Sequence, residues 1–126
     1  MILKNSLYKI VGKTTQERVV CYDIALDATH AIYQAHFPGE PITPGVCLVQ
    51  MTQELVEDHL HQPCRLCGIR NVKFLSVVSP ADHPRVTYRL EKLEALSPTD
   101  YRVVAQVSDP VSALIFAKLS LHLRKI

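Results

Sequence analysis

One long amphipathic helix pattern in an otherwise strand-rich sequence is the feature that most constrains the fold. From Thr43 to about His61, apolar residues recur at three- and four-residue spacing and predict a wide buried helix face. That face carries Leu48, Val49, Met51, Leu55, Val56 and Leu60, and the polar side carries Gln50, Glu54, Glu57 and Asp58. No second helix of this length is available as a partner. The helix is therefore expected to pack on a sheet.

Strand patterns supply that sheet. Residues 7–26 read as a hairpin that turns near Gly12 to Gln16, and four further strand-like stretches follow the helix at 68–78, 84–96, 100–108 and 112–125. In the last stretch, Leu119, Leu121 and Leu123 face one side, and Lys118, Ser120, His122 and Arg124 face the other. The 126 residues are enough for one domain. We predict a single α+β domain over 1–126, with the helix wrapped by about six antiparallel strands.

Composition excludes several functional classes. Hydrophobic residues make up 48% and charged residues 21%, which is typical of a globular protein, and apolar runs such as VCLV are too short to span a membrane. The net charge of +2 is spread along the chain, so nucleic acid is not an expected partner. The early charges of MILKNSLYKIVGK do not fit a secretory signal, so we expect a cytoplasmic protein.

Local clusters leave two alternatives open. Basic residues between 65 and 89 are interpreted as a solvated strand face, with an acidic protein partner as the alternative. Cys64 and Cys67 follow His59 and His61 and resemble half of a zinc site. The two histidines do not share a helix face, and a second cysteine pair is missing. We expect neither a metal nor a cofactor, with solvent-exposed histidines and half-buried thiols instead.

The loop before the helix is rigid and contains a histidine. Three prolines and two glycines fall between residues 38 and 45, where they fix or permit unusual backbone angles. Rigidity next to His36 suits a positioned base. Tyr33 and Phe37 are expected either to line or close a substrate tunnel or to pack this loop.

The helix start is a candidate oxyanion site. The amides of Gly45 and Val46 lie in the first turn, at the positive end of the helix dipole, and would stabilise a carbonyl oxygen that gains negative charge. The alternative is an ordinary cap, in which the side chain of Thr43 satisfies one amide. Cys47 is interpreted as a small core residue facing the sheet, although a thiolate would also be stabilised there.

These residues carry a resemblance to a known family. The segment IYQAHFPGEPITPGV and the following helix resemble the β-hydroxyacyl-acyl-carrier-protein dehydratases of the hotdog-fold superfamily, and NVKFLSVVSPAD resembles the strand that follows their helix. The resemblance implies a helix wrapped in a curved antiparallel sheet. It also implies dimers whose sheets join side by side, with a substrate tunnel at the dimer interface.

The resemblance also implies roles for individual residues. His36 corresponds to the base that removes a proton next to the thioester carbonyl, and Gly45 to the backbone donor to that carbonyl. A carboxylate from the other subunit protonates the departing 3-hydroxyl in this family, but Gln50 occupies its position here. Glu54 occupies a position where the family often carries an amide. Gln50 can orient a hydroxyl but has no titratable proton to donate.

The exchanged acid and amide leave three possibilities. His36 performs both proton transfers, Glu54 supplies the acid directly or through water, or the site binds acyl thioesters without eliminating water. A solvated charge on the helix face is the alternative role for Glu54. We predict a dehydratase-like enzyme in fatty acid or related lipid biosynthesis, acting on thioesters of acyl carrier protein or coenzyme A. The alternatives are a non-catalytic subunit that binds acyl carriers and a hotdog acyl thioesterase.

Overall fold

The computed structural model describes residues 1–35 and 39–126. The described elements, in chain order, are β1 (Tyr8–Gln16), β2 (Val19–Leu26), α1 (Ala31–Ala35), α2 (Gly45–Leu60), β3 (Cys64–Phe74), β4 (Arg85–Ala95), β5 (Asp100–Ser108) and β6 (Ile115–Lys125). The strands form one sheet in the order β1-β2-β4-β5-β6-β3, and every neighbouring pair is antiparallel. This is the α+β hotdog arrangement that the resemblance implies.

The sheet supplies the apolar surface against which α2 packs. Met51, Leu55 and Val56 of α2 are fully buried, as the helical spacing predicts. The alternation predicted for β6 is confirmed, since Leu119, Leu121 and Leu123 lie in the core and Lys118 is exposed. Register shifts interrupt β1, β3 and β4. Such bulges bend strands, which suits a sheet that curves around a helix.

The hairpin turn lies later than the sequence pattern predicts. β1 continues through Gln16, and Glu17 and Arg18 form the turn with φ of 49° and 69°. Two successive positive φ values give a tight turn whose twist matches that of the flanking strands. The prediction of a turn between Gly12 and Gln16 is therefore wrong. Gly12 lies instead at a bulge, opposite Asp23.

The boundaries of α2 differ slightly from the predicted ones. Pro44 is the N-cap residue rather than the first helical residue, and Gly45 begins the helix. The helix ends at Leu60, and His61 follows in the left-handed conformation with φ of 53°. Among the described residues, no helix is both long enough and apolar enough to cross a membrane.

Candidate active site

Tyr33 lies on α1, and the candidate residues from Gly45 onward lie on α2. His36 and Phe37 lie outside the described residues, so their predicted roles remain predictions. Tyr33 is buried, and its hydroxyl pairs with Oγ1 of Thr43 at 2.9 Å. Burial raises the pKa of Tyr33, so the phenol keeps its proton. Of the two roles predicted for Tyr33, these contacts favour packing of the loop.

No described side chain caps the first amides of α2. Thr43 does not cap the helix, because its hydroxyl pairs with Tyr33 and its own amide donates to Val78 O at 2.8 Å. The interpretation of Thr43 as an ordinary N-cap is therefore wrong. No described residue accepts a hydrogen bond from the amide of Gly45 or Val46, which is typical of a helix N-terminus without a side-chain cap.

An apolar cavity of about 390 Å³ adjoins this helix start. Its walls come from the segment before α2, the first turns of α2 and the chain after β3, and they include Ile42, Pro44, Gly45, Leu48, Phe74, Leu75, Val77 and Val78. A Cβ added to Gly45 would lie 2.5 Å from Cζ of Phe74, so the ring occupies the space beside the glycine. The sequence pattern did not single out Phe74, although it lies within the quoted NVKF segment.

Gln50 and Glu54 form a pair on α2. Nε2 of Gln50 donates to Oε2 of Glu54 at 3.0 Å and also to the carbonyl oxygen of Met1. The prediction that the two side chains share one helix face is confirmed. Glu54 is only 8% exposed, so its interpretation as a solvated charge is wrong.

The N-terminal turn covers the carboxylate of Glu54. The amides of Leu3 and Lys4 each donate to it at 2.8 Å, and the hydroxyl of Tyr8 donates at 2.9 Å. Burial, and then the nearby Glu54 carboxylate, raise the pKa of Tyr8, so its phenol stays protonated and remains a donor. Counting Gln50, four donors surround the two oxygens of Glu54. Glu54 thus anchors the chain before β1.

Gln50 and Gly45 belong to different cavities of one chain. Gln50 and Val46 line a groove of about 760 Å³ between α2, the N-terminal turn and the start of β3. Gly45 lines the apolar cavity described above. Within the described part of one chain, Gly45 and Gln50 therefore do not share a cavity.

The cysteines of the described chain have separate environments. Cys47 is 4% exposed and burial raises the pKa of its thiol, which confirms its interpretation as a core residue rather than a thiolate. Cys64 is buried, whereas Cys67 is exposed on the same strand. Within residues 1–35 and 39–126, no three His, Cys, Asp or Glu side chains converge on a point where they could hold a metal ion.

Comparisons with known sequences identify the family of the chain. A family model described as ApeI dehydratase matches residues 12–112. The 3-hydroxyacyl-acyl-carrier-protein dehydratase FabZ of Syntrophobacter fumaroxidans is 29% identical over 99 residues, which cover 72% of this chain and 65% of that relative. The chain spans about half to two thirds of the length of the first FabZ relatives that it matches.

Solved structures share the fold. The dehydratase heterocomplex ApeI:P from Xenorhabdus doucetiae gives a TM-score of 0.71 at 15% identity, covering 91% of this chain and 96% of that chain. A 1,4-dihydroxy-2-naphthoyl-CoA thioesterase from Synechocystis gives 0.58 at 15% identity, covering 86% and 82%. Dehydratases and thioesterases thus share this architecture, so the fold alone does not distinguish between the two reactions.

Proposed function

Because the chain belongs to the ApeI-like dehydratase family, we propose that it eliminates water from (3R)-hydroxyacyl thioesters to give trans-2-enoyl thioesters, in fatty acid or related lipid biosynthesis. One observation carries the proposal: the N-terminus of α2, which no side chain caps, lines an apolar cavity through Gly45. An acyl chain fills such a cavity, and its thioester oxygen gains negative charge when a proton leaves C2.

The proposed chemistry divides between His36 and the helix start. The imidazole of His36 takes the C2 proton, and the amides of Gly45 and Val46 stabilise the resulting enolate. The C2–C3 double bond then forms as the C3–O bond breaks. The imidazolium returns its proton to the departing hydroxyl, so the products are the enoyl thioester and water.

We assign both proton transfers to His36 because neither Gln50 nor Glu54 is a suitable acid. Gln50 has no proton to give, and Glu54 is enclosed by four donors under the N-terminal turn. A missing acid typically lowers the rate by about 10²–10⁴-fold, so we expect slow turnover. Gln50 orients the substrate hydroxyl.

A second copy of the chain completes the proposed site. Gly45 and Gln50 line separate cavities of one chain, so a shared site needs Gln50 from a neighbour. Strand β3 lies at the end of the sheet, next to β6 alone, and carries the half-exposed apolar residues Ile69 and Phe74. We propose a homodimer in which two β3 edges pair. A different subunit is the alternative partner, since the ApeI:P dehydratase with a similar fold is a heterocomplex.

Acyl carrier protein is the proposed carrier, in preference to coenzyme A. The FabZ relatives are named for acyl-carrier substrates. Lys73 and Lys118 are exposed and lie opposite each other on β3 and β6. On the next strands, Gln106 lies opposite Lys118, and the exposed Arg89 lies opposite Gln106. This basic row suits an acidic carrier. Added salt should therefore raise KM for a carrier-bound substrate more than for the pantetheine thioester of the same acid.

A two-product assay tests the reaction. The protein is incubated with a 3-hydroxyacyl carrier thioester while enoyl absorbance and free thiol are followed together. We expect enoyl formation that His36→Ala abolishes. His122→Gln should retain it, because His122 lies on β6, lines neither of the two cavities, and Gln can still bond to Asp100.

The same assay separates the alternatives. Thiol release without enoyl would replace the proposed reaction with thioester hydrolysis. Neither product, together with measurable binding of the acyl carrier, would indicate the non-catalytic binding subunit. Of these two alternatives, the missing acid at position 50 favours the non-catalytic binding subunit.

A further inference from the structure

The contacts around Gln50 determine whether its amide nitrogen or its amide oxygen is available to a ligand. Nε2 carries two hydrogens, and two acceptors surround it, namely Oε2 of Glu54 at 3.0 Å and the carbonyl oxygen of Met1. Reversing the amide would turn its oxygen toward both acceptors and lose both hydrogen bonds. The amide nitrogen therefore faces the protein.

Glu54 holds this orientation because its own surroundings are fixed. The amides of Leu3 and Lys4 and the hydroxyl of Tyr8 all donate to its carboxylate, and the side chain is nearly inaccessible to solvent. A carboxylate with donors on three other sides has little freedom to rotate. It offers Gln50 an acceptor and never a donor.

What remains for a ligand is the amide oxygen. No described residue donates to Oε1 of Gln50, and the side chain lines the groove of about 760 Å³. An unused amide oxygen accepts a hydrogen bond from a hydroxyl, whereas a ketone oxygen or an alkene offers it no hydrogen.

We propose that Glu54 is a positioning residue that turns Gln50 into an obligate hydrogen-bond acceptor, and that Gln50 thereby selects acyl chains with a hydroxyl at C3 over 3-oxo and saturated chains. This inference rests on the proposed function, since it assumes that an acyl thioester occupies the shared site. Its consequence is that the hydroxyl is held through its hydrogen. The proton that the departing oxygen needs must then come from elsewhere, in agreement with a double role for His36.

Binding of stable substrate analogues tests the inference. The pantetheine amides of 3-hydroxyhexanoic, 3-oxohexanoic and hexanoic acid differ only at C3, and titration calorimetry gives Kd for each. We expect the hydroxy compound to bind about 3- to 10-fold more tightly than the oxo compound, the range of one net hydrogen bond.

Variants at the pair should erase this discrimination. In Glu54→Gln, residue 54 can offer either an oxygen or a nitrogen, so only the carbonyl oxygen of Met1 still holds the amide nitrogen of Gln50 and the ratio of the two Kd values should fall. Gln50→Leu removes the acceptor and should do the same. Glu91→Gln is the matched control for the lost charge, because Glu91 is exposed on β4. It should keep the wild-type ratio.

The outcomes separate this inference from the proposed function. Equal binding of all three analogues to the wild type, or an unchanged ratio in both Glu54→Gln and Gln50→Leu, would overturn the selection by Gln50 and leave the proposed reaction standing. Failure of every analogue to bind would overturn both. If Glu54→Gln does not fold, Gln50→Leu alone decides, because it leaves the donors of the N-terminal turn in contact with Glu54.

Discussion

The ring of Phe74 lies where a side chain on residue 45 would have to be. A Cβ on Gly45 would lie 2.5 Å from Cζ of Phe74 and 2.8 Å from Cε2, closer than carbon atoms approach without displacement. Phe74 ends β3, and Gly45 begins α2. Packing against the strand therefore explains the glycine, and the proposed approach of a thioester is a second, separate explanation. The two explanations lead to different experiments.

The packing explanation predicts strong coupling between the two positions. Gly45→Ala should destabilise the protein by about 1–3 kcal/mol, because the ring has to move away from the helix. In a Phe74→Ala background, the same substitution should be neutral or slightly stabilising, since alanine favours a helix more than glycine does. Urea denaturation of the four proteins of this double-mutant cycle measures the coupling. Equal costs in both backgrounds would contradict the contact.

A carboxylate at position 50 should accelerate dehydration. Gln50→Glu supplies the acid that the departing hydroxyl lacks, and the expected gain in enoyl formation is about 10²-fold or more. If this variant is no faster than the parent, the proposed placement of Gln50 in the site is wrong. Glu91→Asp, a change far from α2 in sequence, serves as the control for handling and expression.

Glu54 should set the pH range in which Gln50→Glu dehydrates faster than the parent. In Gln50→Glu, the new carboxyl lies beside the carboxylate of Glu54, and a like charge at this distance raises a carboxyl pKa. The double variant Gln50→Glu/Glu54→Gln removes that charge. An acid with a higher pKa stays protonated to a higher pH. The pH above which kcat declines should therefore be higher for the single variant than for the double variant. Coincident pH profiles would show that the two groups do not interact.

Much of the architecture could be predicted because its signals are local. The three- and four-residue spacing in α2 and the strict alternation in Leu119, Leu121 and Leu123 each report burial within one element. The turn at Glu17 and Arg18 escaped prediction because neither residue belongs to the types that usually adopt positive φ.

The site was harder to predict because its contacts join distant parts of the chain. Thr43 looked like a helix cap, but its hydroxyl pairs with Tyr33, ten positions earlier. Glu54 looked like a surface charge, but Leu3 reaches it from 51 positions away. Periodicity along α2 shows that residue 54 lies beside the apolar stripe. It contains no information about which segment covers that residue.

Buried tyrosines should make the fold sensitive to alkaline pH. Tyr8 is fully buried, and burial and then Glu54 raise its pKa above the ordinary value of 10.0. Above about pH 10 the unfolded chain loses this phenolic proton while the folded chain keeps it, so stability is present at lower pH and falls as pH rises. Each such tyrosine contributes a slope of about 1.4 kcal/mol per pH unit.

The variant Tyr8→Phe isolates this contribution. It should lower stability near neutral pH by about 1 kcal/mol, because Glu54 loses one donor, and it should flatten the alkaline slope by the share of one tyrosine. Urea denaturation of both proteins on either side of pH 10 measures the difference, and groups common to both cancel. Parallel slopes would show that Tyr8 gives up its proton equally readily in the folded and unfolded chains.

A site shared between subunits can be rebuilt from two defective chains. His36→Ala and Gln50→Leu should each retain little dehydratase activity as pure proteins. In a mixed dimer with shared sites, one site combines the intact His36 of one chain with the intact Gln50 of the other, and the second site has neither. Random exchange makes about half of the dimers mixed, so about a quarter of the wild-type sites should return. If the two chains carry different tags and the protein is purified through both tags, only mixed dimers remain. About half of the wild-type sites should then return. Verified mixed dimers without any recovery would mean that His36 and Gln50 act within one subunit, and the pairing of Gly45 with a neighbour's Gln50 would then have to be abandoned.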